Sequence, residues 1–269
     1  MLPIFSAFSI EQAPIKGGST FPCLLSVVDE NGVIKPPHVV KIFKPTHRNA
    51  TCREVFANVL AQQFDLQVPA AALVNVGIEI LAELKKLPAY ASSQMEPGYY
   101  FGTEMLENAL DYSNTLYEGK VDNWNPEMIF AFDVFIRNTD RRVTKPNFFL
   151  KDNVPVLIDH ELSLNITKTF KEYVDKKEWR FIPSTEEVGA RSGHVFYTHL
   201  RKKGKKHPLD FGVFLEYLRV LDVNIISQYE RQLSELECYE ENYIEIVNYL
   251  KEVKQNEGQF YSLLQDLLI

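Results

Sequence analysis

The chain has 269 residues, 45% of them hydrophobic, enough for one large domain or two lobes with a buried core. Its 29 Lys and Arg against 36 Asp and Glu give a net charge of -7, which excludes a global basic field for nucleic acid and a polycationic membrane tail. Cys23, Cys52 and Cys238 stand far apart without CxxC spacing, which argues against a zinc site or a disulfide framework and for a reducing compartment.

In chain order, residues 1–15 carry acidic Glu11 and no long apolar run, so they do not read as a signal peptide. Residues 21–28 are β-rich, Asp29-Glu30-Asn31-Gly32 is a hairpin turn signal, and residues 38–43 are a second β-rich run containing Lys41. A helix is predicted next. Thr51 with Glu54 three residues on forms a capping-box pattern, Val55, Val59, Leu60 and Phe64 recur at helical spacing, and Pro69 ends it. Residues 71–76 and 78–81 read as a strand pair around Gly77, Pro97-Gly98 as a turn, and residues 99–105 as extended. Pro126 opens a helix with Met128, Ile129, Phe132 and Phe135 on one face. Residues 138–146 are polar and loop-like. Residues 147–150 and 154–158 read as two short strands joined by Lys151-Asp152-Asn153. From Phe211 onward the pattern is helical. No segment reaches the roughly 18 apolar residues of a membrane span, so a soluble, cytoplasmic protein is expected. The sum is an α+β chain, strand-rich first and helix-rich after, with a hinge at residues 103–110.

Several polar residues in this frame match the parts that phosphoryl transfer needs: a backbone cradle and a lysine for the phosphates, a carboxylate for the nucleophile, and oxygen ligands for Mg²⁺. Gly17, Gly18 and Ser19, with Thr20, precede the first long strand and offer a phosphate-binding turn, although a glycine pair taken alone is far more often a plain turn. Lys41 lies between Val40 and Ile42, and Glu54 follows thirteen residues later. The two read either as an ion pair aiming an ammonium at phosphate or as a solvent-facing lysine and a helix cap. The strongest signal is Asn138-Thr139-Asp140-Arg141, then Pro146-Asn147, then Ile158-Asp159-His160. A hairpin of this length brings Asn147 and Asp159 near one another as amide and carboxylate oxygens suited to Mg²⁺, which leaves Asp140 as the catalytic carboxylate. Taken singly, each is also a common turn former.

At these positions the chain resembles the HipA-like kinases, in particular a compact branch with an N-x-D-R motif, a P-N pair and I-D-H. The resemblance spans roughly residues 14–165 and includes Gly17-Gly18, Val40-Lys41, Glu54 and Phe101-Gly102 with Glu104. It implies a bilobed protein-kinase-like fold, with an N-lobe over residues 1–105 and a C-lobe over 106–269. It implies ATP and Mg²⁺ as cofactors and a Ser or Thr hydroxyl of a protein as acceptor. By that resemblance Asp140 is catalytic, Asn147 and Asp159 bind Mg²⁺, Lys41 binds the phosphates, and Glu104 to Leu106 contact adenine through backbone. A regulatory or antitoxin protein is the partner it suggests, and Ser19 or Thr20 is a candidate for autophosphorylation. Small-molecule or lipid kinases and ATP-binding pseudokinases share the fold and remain alternatives. The chain departs from ordinary protein kinases in three ways: seven residues separate Asp140 from Asn147, Asn138 stands where a His is usual, and His160-Glu161 follows Asp159 in place of a DFG triplet.

The run Arg201-Lys202-Lys203-Gly204-Lys205-Lys206-His207 reads as a solvated loop, with a docking site for an acidic or RNA-bearing substrate as the alternative, and His194, His199 and His207 lack metal-ligand spacing and read as structural or exposed.

Overall fold

The computed structural model describes residues 1–15, 22–44, 47, 49–112, 119–176, 193–238, 240 and 242–268. In chain order its elements are β1 (Ile4–Gln12), β2 (Cys23–Val28), β3 (Ile34–Val40), α1 (Asn49–Gln63), β4 (Ala71–Val76), α2 (Ile78–Lys85), β5 (Gly98–Glu104), β6 (Leu110–Asp111), a 3₁₀ turn (Val121–Trp124), α3 (Pro126–Phe135), β7 (Phe148–Lys151), β8 (Val154–Leu157), α4 (Phe170–Lys176), α5 (Tyr197–Gly204), α6 (Gly212–Val220), α7 (Ile225–Glu235), α8 (Tyr243–Gln255) and α9 (Glu257–Asp266). The chain forms two compact units. The first comprises Met1–Asn58, Pro69–Glu107 and Ile226–Glu241; the second comprises Val59–Val68, Asn108–Ile225 and Asn242–Ile269.

The first unit is built on a closed barrel of order β1-β2-β3-β5-β4. Pairing is antiparallel except between β1 and β4, which run parallel and close it. Closure leaves the barrel no free edge. Leu25, Val27, Val40, Val74 and Val76 fill it together with Ile80, Leu81 and Leu84 of α2. Gly102 permits that closeness: a Cβ there would stand 2.7 Å from Val74 Cγ2 and 3.2 Å from Val40 Cγ2. The β2–β3 connection forms as its sequence reads. Gly32 takes φ +75°, and Asp29 Oδ1 accepts the N–H groups of Asn31 and Val33, each at 2.9 Å.

Three sequence expectations need correction in this unit. Residues 78–81 are not a strand; they open α2, because Ile80, Leu81 and Leu84 share a helical face while Ile78 is exposed. Thr51 is not a cap; α1 starts at Asn49, so Thr51 and Glu54 lie inside it, buried. Lys41 falls just past the end of β3 and not within it. Strand β1 was not legible as a strand, since its half-buried alternation carries polar Ser6, Ser9, Glu11 and Gln12.

The second unit centres on α3, all ten residues of which are buried. Phe64 stacks on Phe214 at 4.8 Å between ring centroids and tilts against Phe132 and Phe135 at 5.5 and 5.4 Å. Phe260 completes this aromatic core against Phe214 and Phe135. A small antiparallel sheet, β6-β7-β8, lies in the same unit. The β7–β8 hairpin turns on Asp152 and Asn153, both left-handed at φ +53° and +63°, as a type I′ turn demands. Arg201, Lys202 and Lys203 occupy the last turn of α5, where cations suit the helix dipole. Lys203 pairs with Glu127 at 2.7 Å and Asp122 at 3.0 Å, so this part of the basic run is helical and not a loop. No described helix is long and apolar enough to cross a membrane.

Candidate functional site

Of the phosphate-side candidates, Gly17, Gly18, Ser19 and Thr20 lie outside the described residues. Lys41 and Glu54 both belong to the first unit and form an ion pair. The Lys41 backbone N–H donates to the Phe101 carbonyl at 3.3 Å, which anchors the lysine beside β5. Glu54 is 1% exposed, on the buried face of α1. Of its two readings as cap or ion-pair partner, the geometry selects the second. At the end of β5 the N–H groups of Glu104 and Met105 donate to the carbonyls of Ala70 and Pro37 at 2.8 and 2.9 Å. Among the described residues the N–H of half-buried Leu106 has no such partner, so it is the amide of that stretch left for an outside acceptor.

In the second unit the structure brings Asp140, Asn147 and Asp159 together. Lys145 Nζ donates to Asp140 Oδ2 at 2.6 Å and pairs with Asp159 Oδ2 at 2.7 Å, so one ammonium bridges both carboxylates. Burial alone would lower the Lys145 pKa, but the two carboxylates outweigh it and raise it. Asn147 Nδ2 donates to Asp140 O at 3.1 Å and Oδ2 at 3.2 Å. That commits the amide nitrogen inward and turns the amide oxygen to outside partners. Asn147 and Asp159 take left-handed conformations at φ +53° and +63°, a region that Asn and Asp enter more readily than other non-glycine residues. The β7–β8 ladder is continued by Ile158 N–H to Asn147 O at 3.0 Å.

Beneath this cluster lies a buried polar hub. Asp133, fully buried near the end of α3, accepts from Asn138 Nδ2 at 2.8 Å, Arg141 Nε at 2.6 Å and His194 Nε2 at 2.9 Å. Burial pushes the Asp133 pKa up, yet the charge of Arg141 and the His194 hydrogen bond prevail and hold the carboxyl well below the usual carboxylate range. Burial pushes the His194 pKa down, and Asp133 restores it only in part. Arg141, 1% exposed, also donates to the Asn147 carbonyl and reaches His160 Nε2 at 3.0 Å. A guanidinium only donates, so His160 accepts there through Nε2. Asn138 Oδ1 accepts the Asp140 N–H at 3.1 Å, which gives Asn138 an orienting place in the loop. Sequence reasoning missed Asp133 and Lys145. One signal was available: Asp133 is a lone Asp in the apolar run of α3, and a buried charge must find partners.

The donor set fits a hard divalent cation. Asn147 offers an amide oxygen and Asp159 a carboxylate, and an ammonium already marks the demand for positive charge there.

In fold the molecule is a kinase. It superposes on the crystal structure of a Helicobacter pylori proinflammatory kinase, CtkA, with a TM-score of 0.51 at 12% identity, over 97% of this chain and 95% of that one. More particularly, a model of the HipA-like kinases matches residues 15–188, and the chain belongs to that family. Membership implies ATP as the phosphate donor. No curated protein matches the sequence.

Proposed function

We propose that the protein is a Mg²⁺- and ATP-dependent kinase that transfers the γ-phosphate to a Ser or Thr hydroxyl of another protein, a toxin-like effector of growth arrest. The reading divides the chain into an N-lobe, residues 1–105, and a C-lobe, residues 106–269, of a bilobed kinase. The observation that carries it is the gathering of Asp140, Asn147 and Asp159 around Lys145.

Each residue then has a task. Lys41, aimed by Glu54, holds phosphate oxygens. Gly17, Gly18 and Ser19 cradle the phosphates through backbone, and Glu104 to Leu106 meet adenine, with the Leu106 N–H as the donor. Asn147 and Asp159 hold Mg²⁺, which when bound neutralises phosphate charge. Asp140 orients the acceptor hydroxyl and takes its proton as the acceptor oxygen bonds to the γ-phosphorus and the bond to the ADP oxygen breaks.

The test is incubation with γ-labelled ATP and a host lysate, comparing wild type with Asp140→Ala. The expected result is a labelled protein band with wild type only, carrying phosphoserine or phosphothreonine. Label confined to lipid or small molecules would move the acceptor class, and equal label with Asp140→Ala would remove Asp140 from catalysis. Expression of wild type is expected to arrest growth and Asp140→Ala to relieve it; equal growth of the two strains would sink the toxin-like role.

A further inference from the structure

His194 lies six residues past the stretch, ending at residue 188, that the family model matches. It is 2% exposed. Its Nδ1 accepts the Phe196 N–H at 3.2 Å, so its proton sits on Nε2, which donates to Asp133 Oδ2 at 2.9 Å. Phe130 meets the ring edge-on at 5.1 Å and Phe196 packs on it at 5.8 Å, which fixes its orientation. The backbone of the same segment runs beside the loop. His194 forms a β-bridge with Arg142, and the Val195 N–H donates to the Arg141 carbonyl at 3.0 Å.

Asp133 relays this constraint in two directions. Through Asn138, bonded at 2.8 Å, it reaches the Asp140 N–H. Through Arg141, bonded at 2.6 Å, it reaches the Asn147 carbonyl and His160. One Asp133 oxygen serves both Arg141 and His194 while the other serves Asn138. Loss of the imidazole donor leaves the carboxylate held only by Arg141 and Asn138, the two residues it must itself position, so both arms lose their shared fixed point.

We infer that His194 is a positioning residue for phosphoryl transfer: through Asp133 it sets the places of Asp140 and Asn147. This rests on the role given to Asp140 above. His194 itself touches none of the groups assigned to ATP; its loss acts on turnover through Asp140 and on the metal ligand through Asn147.

His194→Phe keeps a ring among the aromatic neighbours and removes the hydrogen bonds; His194→Gln restores an amide donor. Both are compared with wild type at a temperature where circular dichroism shows full folding, and His194→Asn replaces the Phe variant if that variant does not fold. Label transfer is expected to drop in kcat by about tenfold or more in His194→Phe, the range for residues that orient a site from behind it. His194→Gln is expected to recover most of kcat, with any rise in KM for Mg·ATP recovered alongside it. In nucleotide-free protein, amide hydrogen exchange over residues 138–147 is expected to speed up in His194→Phe and return toward wild type in His194→Gln. Unchanged exchange in that stretch, or unchanged kcat per folded molecule, overturns the inference. A wild type without any phosphotransfer overturns the proposed function instead, and the exchange comparison then decides the positioning role by itself.

Discussion

At the scale of single residues, Lys145 sets a problem of charge. Its ammonium lies within 2.7 Å of Asp159 and 2.6 Å of Asp140, the carboxylates proposed for metal and acceptor. A cation entering beside Asp159 meets a positive charge already in place. Lys145→Met removes that charge and leaves the carboxylates. Mg²⁺ is expected to bind the nucleotide-free variant about thirtyfold more tightly, the size of the repulsion between a +1 and a +2 charge near 4 Å in a water-like dielectric, about 2 kcal/mol. Calorimetric titration reads this directly; equal or weaker affinity would show that Lys145 does not compete with the ion. His194 sets a problem of protons. Its pKa is depressed in the fold, chiefly by burial, whereas the unfolded chain takes up a proton near about pH 6.5. Below that pH the unfolded state binds more protons than the native state, so the stability His194 contributes is present above it and is lost as pH falls. Urea midpoints between pH 7 and pH 5 are expected to fall less in His194→Phe than in wild type. Asp133, also depressed, adds a second loss of the same sign only below about pH 4.

At the scale of elements, the barrel shows what a small residue does for closure. Gly102 on β5 faces Val74 of β4 and Val40 of β3, and an added Cβ would overlap Val74 Cγ2 at 2.7 Å. Gly102→Ala is therefore expected to destabilise by about 1–3 kcal/mol, as overpacking does, although alanine is otherwise the better strand former. Adding Val74→Ala is expected to cost less in the Gly102→Ala background than in wild type, since the two side chains compete for one space. Denaturation midpoints of the two singles and the double give the coupling, and simple additivity would place the clash elsewhere. The elements differed in how openly the sequence announced them. Helix α3 and the β7–β8 hairpin were legible because Pro126 marks a start, the apolar spacing is helical, and Asp152-Asn153 is turn chemistry. Helix α2 was not, because the short segment Ile78-Glu79-Ile80-Leu81 fits strand and helix alike until its burial is known. Asp140, Asn147 and Asp159 could be read because they sit in one short motif around one hairpin. The pairing of Asp133 with His194 could not, because it joins side chains 61 positions apart and only tertiary packing brings them together.

At the scale of the whole molecule, the proposed binding of nucleotide and metal has a readout in the stability of the chain. A ligand that binds only the folded chain stabilises it by mass action, about 2.7 kcal/mol at a hundredfold excess over Kd. For a chain of 269 residues that corresponds to a rise of several degrees in melting temperature. Mg²⁺ with a non-hydrolysable ATP analogue is expected to produce that rise, and chelation of the metal to remove most of it. Asp159→Asn keeps the shape of the side chain but removes the charge proposed to bind metal. Its shift is expected to become independent of Mg²⁺, while Lys41→Met lowers the shift with or without the metal. The two variants thus separate metal binding from phosphate binding in one thermal assay. A full Mg²⁺-dependent shift in Asp159→Asn would take Asp159 out of the metal site, and absence of any shift in wild type at millimolar Mg·ATP analogue would count against nucleotide binding by this chain.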